Sequence, residues 1–173
     1  MPGSRRVLPE DLTPHAGEVK EGFGGVFRDF AVGADNSQGE LPAAILALDA
    51  SEVLRLSGPG IRVFLRISQA WGLSPKEQCQ MLGGLDSAAL TQWERDQDGL
   101  LGLDQIERIS YVLGIYHDLH ILLPASADGW VQRPNSNPLF QGAPAIVLIT
   151  RGGKEGLRAV RNHLAAQVQG SWA

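Results

Sequence analysis

The sequence predicts an all-α fold, a helix-turn-helix bundle followed by a compact C-terminal helical domain. Two observations carry this. Residues of the N-cap type repeatedly stand ahead of apolar runs, and apolar positions recur at spacings of three and four with no strict alternation. A third, the glycine pair Gly83-Gly84 between two short helical patterns, supplies the turn.

Residues 1–57 read as an N-terminal extension, partly flexible. "EGFGGVFRDFAVGADNSQGE" is glycine-rich and polar, and Phe23, Phe27 and Phe30 are spaced as anchors rather than as a helix stripe. The stretch "PAAILALDASEVLRL" reads as one helix, with "SGPG" (57–60) as its stop. From Ile61 the signals sharpen. Ile61, Phe64, Leu65, Ser68 and Trp71 share one face of a helix. Ser74-Pro75-Lys76-Glu77 combines an N-cap serine, a proline in the first helical position and a glutamate in the third, a capping box for a short helix to about Leu82. Gly83-Gly84 permits the left-handed stop. Asp86 caps the next helix, with Leu85 and Leu90 placed as a staple and Trp93 further along. Asp104 and Glu107 repeat the capping pattern ahead of "QIERISYVLGIYHDLHILL", which Gly114 divides or bends.

Composition bounds the rest. A chain of 173 residues suits one domain or two small ones, and 43% hydrophobic residues provide for a core. One cysteine, Cys79, excludes an intramolecular disulfide and fits a reducing compartment, so the expected location is cytoplasmic. "MPGSRRVLPEDL" has no apolar segment behind its arginines, and "LPAAILAL" is too short to span a bilayer; no membrane is expected. The net charge of −4 hides an asymmetry: −4 over 1–57, −3 over 58–125 and +3 over 126–173. The basic last third points either to a partner-facing surface or to a solvated helix face.

Residues 58–102 form the expected helix-turn-helix domain. Its recognition helix, Ser87–Arg95, turns Ser87, Thr91, Gln92 and Arg95 outward, side chains able to bond base edges or phosphate. Glu94, Asp96 and Asp98 crowd the same helix end and would repel phosphates, so an ordinary helical bundle stays open as the alternative. Residues 103–173 form the second domain. Trp130 and Pro134-Asn135 close one helical turn, Asn137-Pro138 starts another, and "AIVLITRG" is a short apolar helix closed by Gly152. The last helix buries Leu157, Val160, Leu164 and Val168. It shows Lys154, Arg158 and Arg161 along another face, leaving "SWA" as a free tail after Gly170.

From about Leu103 to Gly170 the chain resembles the Xre/MbcA/ParS family of antitoxins, through their toxin-binding domain. The resemblance rests on "LDQIERISYVLGIYHDLHIL", then Trp130, Pro134, Asn135, Phe140, Gly142, Pro144, Leu148 and Gly152, then "GLRAVRNHL". Residues 58–102 fit the Xre-like helix-turn-helix that precedes it. The resemblance implies a type II antitoxin that binds a RES-domain toxin, an NAD-consuming or ADP-ribosylating enzyme, over its active-site cleft. Homodimerisation and repression of its own operon through operator DNA are implied as well. Toxin-binding residues are then expected among Trp130, Arg133, Asn135, Phe140, Arg151, Lys154, Arg158, Arg161 and Trp172, and DNA-binding residues among Ser87, Thr91, Gln92 and Arg95. The alternative is that Trp130 and Phe140 plug the small C-terminal core, the favoured reading for Trp130, and that Trp172 folds back on its own domain. The competing function is a free-standing transcriptional regulator without a toxin.

Enzymatic chemistry is not expected. No Ser/His/Asp, Cys/His or paired-carboxylate arrangement is visible. "GFGG" lacks the Lys-Ser/Thr of a phosphate loop, so no nucleotide cofactor is expected. His117 and His120 lack companion ligands for zinc, and Cys79 has no identifiable histidine partner.

Overall fold

The computed structural model describes Ile45 and residues 47–170. Among these the protein is all-α, with seven helices and no strand: α1 (Ala50–Ala70), α2 (Pro75–Met81), α3 (Ser87–Asp96), α4 (Leu103–Leu122), α5 (Ala127–Trp130), α6 (Ala145–Arg151) and α7 (Gly153–Gly170). The expected anchors Phe23, Phe27 and Phe30, and the terminal Trp172, lie outside the described residues.

The first helix corrects the sequence reading twice. It starts at Ala50, where the Asp49 carboxylate accepts the Ser51 and Glu52 amides and the Glu52 side chain accepts the Asp49 amide. It then runs through "SGPG" to Ala70 with Pro59 inside it, so the boundary expected at 57/58 falls within a continuous helix. An interior proline costs about 3 kcal/mol relative to alanine, and tertiary packing overrides that cost. Ser57, Gly58 and Gly60 are buried, and their small size lets the segment after α3 lie on the helix. There the Leu101 amide donates to Ser57 Oγ at 3.0 Å, and a Cβ on Gly58 would meet Asp98 Oδ1 at 2.8 Å.

The turn follows the predicted local chemistry. Ser74 and Glu77 form the capping box of α2, with Pro75 at its first position. Gly83 and Gly84 take φ of 83° and 86°, and the Cys79 carbonyl accepts the Gly84 and Leu85 amides at 2.8 and 3.1 Å. Asp86 caps α3 through the Ala88 amide. Leu90 and Trp93 turn inward.

Helix α4 is the axle. Every residue from Ile109 to Tyr116 is buried, the signature of a helix surrounded by others. Helices α1, α5 and α7 pack on it, and α6 packs between α2 and α7. Its N-cap is Gly102, whose amide donates to Gln105 Oε1 at 2.8 Å, not Asp104; the Asp104 and Glu107 carboxylates are turned to cations instead. Nor does Gly114 divide it. The helix is continuous, and Gly114 is where the Arg161 side chain crosses: a Cβ there would run into it.

This reverses the usual sign of a substitution. Glycine to alanine inside a helix normally stabilises by about 1 kcal/mol. Here the added methyl must displace an arginine held by a buried carboxylate. Gly114→Ala is therefore expected to destabilise the fold by roughly 1–3 kcal/mol, measured by urea unfolding; a gain in stability would contradict the packing.

Candidate functional site

The proline-rich segment after α5 is a closed loop. Pro134 faces Pro144 across an antiparallel bridge, the Asn135 amide donates to the Ala143 carbonyl at 3.3 Å, and the Gly142 amide donates to the Asn135 carbonyl at 3.1 Å. Two asparagine side chains brace the bend: Asn135 Oδ1 accepts the Asn137 amide at 2.9 Å and Asn137 Oδ1 accepts the Leu139 amide at 3.0 Å. Gln141 and Gly142 complete the turn in the left-handed region, at φ of 51° and 82°. Two bonds tie the loop to the body: the Ile146 amide to the Val131 carbonyl at 2.9 Å, and Gln132 Nε2 to the Trp71 carbonyl at 2.8 Å.

Phe140 plugs this loop from within. It is 4% exposed. Its ring meets half-buried Trp130 edge-on at 5.7 Å and His163 of α7 edge-on at 5.5 Å. Burial pushes the His163 imidazole below its ordinary pKa, so the folded state binds this proton less readily than the unfolded chain. The resulting stability is fully present above about pH 6.5 and is lost as pH falls towards the depressed folded value. The melting temperature is expected to drop below that pH, and His163→Gln to flatten the step. An unchanged step in the variant would assign it to another group.

The three cations expected along an outward face of α7 are arranged differently. Lys154 Nζ reaches Glu107 Oε2 at 2.8 Å and Asp104 Oδ1 at 3.3 Å. Arg161 pairs with Asp118, their side chains 15% and 6% exposed. Arg158 pairs with Glu155 on its own helix. The physical reason lies in α4, which brings three carboxylates to the seam with α7 and needs counter-charges there. Hydrogen bonding to Glu107 raises the Lys154 pKa. Burial would raise that of Asp104, but hydrogen bonds from Arg108 and Lys154 outweigh it and lower it. Sequence reading missed Asp118. Its signal was an acid enclosed by apolar residues in "GIYHDLHIL".

The remaining expected residues sit as follows. Arg133 and Arg151 are exposed and Asn135 is half-buried in the loop. On α3, Ser87, Thr91, Gln92 and Arg95 are all exposed. Thr91 Oγ1 donates back to the Ser87 carbonyl at 2.9 Å, and Arg95 Nε donates to Asp96 Oδ1 at 2.9 Å. Burial, followed by Asp86 and Glu94, raises the pKa of the Cys79 thiol, which disfavours its nucleophilic thiolate form. Among the described residues no three His, Cys, Asp or Glu side chains gather as a metal site, and no helix is long and apolar enough to cross a membrane.

A cap-delimited helix-turn-helix joined to a helical unit with a rigid loop defines the class, and comparison with known proteins gives it a family. The profile described as "Antitoxin Xre-like helix-turn-helix domain" matches residues 50–114, from the first residue of α1 to the middle of α4. The chain therefore carries an antitoxin-type domain, of a family that is typically non-enzymatic, and that domain implies a toxin as partner. The chain is also 34% identical over 109 residues to "Uncharacterized protein y4oB" of Sinorhizobium fredii (strain NBRC 101917 / NGR234). That alignment covers 62% of this chain and 82% of the relative, so the chain belongs to the family of that protein. No solved structure matches it.

Proposed function

We propose that this protein is the antitoxin of a type II toxin–antitoxin pair and that it occludes the active site of an NAD-consuming or ADP-ribosylating RES-domain toxin in the cytoplasm. The observation that carries the reading is the pairing of an antitoxin-type helix-turn-helix with a self-closed loop built on the residues of the toxin-binding resemblance. A loop already fixed by its own hydrogen bonds loses little freedom on binding. In this reading residues 103–173 face the toxin. Arg133, Arg151 and Trp172 make contact, while Trp130, Asn135, Phe140, Lys154, Arg158 and Arg161 hold the surface in shape.

The helix-turn-helix that begins with α1 then serves the operon. The exposure of Ser87, Thr91, Gln92 and Arg95 on one short helix favours operator binding by a homodimer, since a single such helix spans only a few base pairs. Arg95→Ala is expected to weaken operator binding by about 1–3 kcal/mol in gel-shift titrations and to leave neutralisation intact. Unchanged operator binding would remove Arg95 from the interface.

The test of the main reading is co-expression with the RES-domain protein that the reading expects to be encoded beside the gene. Growth should be restored by the full chain. Persistent toxicity in the presence of soluble antitoxin would reject the pairing.

A further inference from the structure

We propose that the partner-facing surface is centred on a stripe formed by Arg133, Pro134, Pro144, Val147 and Arg151, and that it fits a protein surface with an apolar centre and a carboxylate at either end. This rests on the antitoxin reading and names the chemistry of its toxin-side contact.

Charge pairing selects the two arginines. Residues 126–173 hold five cations and two acids. Lys154 is occupied by Glu107 and Asp104, Arg161 by Asp118 and Arg158 by Glu155. The other acid of this third, Asp128, lies 3.7 Å from His120. Arg133 and Arg151 remain exposed, and among the described residues neither has a carboxylate within ion-pair distance. Glu77 feels the charge of Arg151, but its Oε2 is engaged by the Ser74 amide and hydroxyl at 2.9 and 2.7 Å.

Geometry joins them. Pro134 is bridged to Pro144, which places Arg133 beside the start of α6. Pro144, Val147 and Arg151 then follow at i, i+3 and i+7, one face of that helix. The opposite face, with Ile146, Ile149 and Thr150, is buried. Val147 is 38% exposed, one of few large apolar side chains in that state among the described residues. Arg133 is itself placed, because its guanidinium lies over Gly129, where a Cβ would stand 3.5 Å from it. The result is an arginine, a proline–valine strip and a second arginine on a backbone that is already closed. Arginine is enriched at interface cores and among binding hot spots.

The experiment measures the affinity of the full chain for the purified RES-domain toxin that the antitoxin reading expects to be encoded beside it, by calorimetry at two salt concentrations. The unaltered chain is compared with Arg133→Glu/Arg151→Glu, with Val147→Asp and with Arg66→Glu as a control on α1. The double charge reversal is expected to raise Kd by about 100-fold, roughly tenfold per arginine, and to reduce the salt dependence. Val147→Asp should raise it by about tenfold, with Arg66→Glu unchanged. Melting temperatures should stay put, because every altered side chain is exposed. Unchanged affinity in both stripe variants would overturn the surface while leaving the antitoxin reading in place, as would loss of operator DNA binding alone in the charge-reversed variant. Failure of the unaltered chain to bind would overturn the antitoxin reading and this surface with it.

Discussion

Asp118→Ala is expected to cost about 3 kcal/mol of folding stability, a large loss for a single polar side chain. Asp118 is buried on α4 and Arg161 reaches it from α7 across Gly114. Removing the carboxylate leaves a guanidinium that is only 15% exposed without its counter-charge, and a buried unpaired charge costs more than the pair itself contributes. Arg161→Leu, which keeps much of the aliphatic stem, leaves Asp118 with only the His117 ring, 3.2 Å from its Oδ1, and should also cost stability, by less than Asp118→Ala. The double variant Asp118→Ala/Arg161→Leu should recover part of the loss, because neither charge is then stranded. A double-mutant cycle in urea reads this directly. Additive losses would mean that the two groups do not depend on each other.

Phe140→Ala should cost about 3–5 kcal/mol and should also abolish toxin binding at working concentrations. The ring fills the closed loop and is touched edge-on by Trp130 and His163. Its loss opens a cavity and leaves the loop's shape to its backbone bonds and to the Gln132, Asn135 and Asn137 side chains. The stripe of Arg133, Val147 and Arg151 depends on that shape, since Arg133 and α6 are joined through the Pro134–Pro144 bridge. Phe140→Leu should keep most of the stability and part of the binding. If Phe140→Ala bound as tightly as the unaltered chain, the loop would not be the element that presents the contact.

Local chemistry was readable at most caps and turns; the exception is α4, where Gly102 and not Asp104 is the N-cap. The capping box at Ser74, the left-handed Gly83-Gly84 and the Asp86 cap all depend on residues within a few positions of one another, and each formed as its sequence dictates. The other errors share the opposite property. Pro59 reads as a stop until Leu101, far along the chain, is seen bonded to Ser57 in the middle of that helix. Gly114 reads as a hinge until Arg161 is laid across it. Lys154 and Arg161 read as a surface stripe by helical spacing, because the carboxylates that claim them belong to α4. The candidate site was legible as a segment, from Trp130 to Gly153. Which of its cations stay available could not be read, since that depends on how α4 and α7 are paired.

The central claim is that this chain silences a toxin by covering its active site. It is tested most directly by following NAD consumption by the purified RES-domain toxin that the proposal expects to be encoded beside it, while the full-length chain is titrated in. The account predicts a fall to background at a fixed stoichiometric ratio, with no binding of free NAD by this chain alone. Undiminished NAD turnover in the presence of bound antitoxin, or at saturating antitoxin with no complex formed, would contradict it.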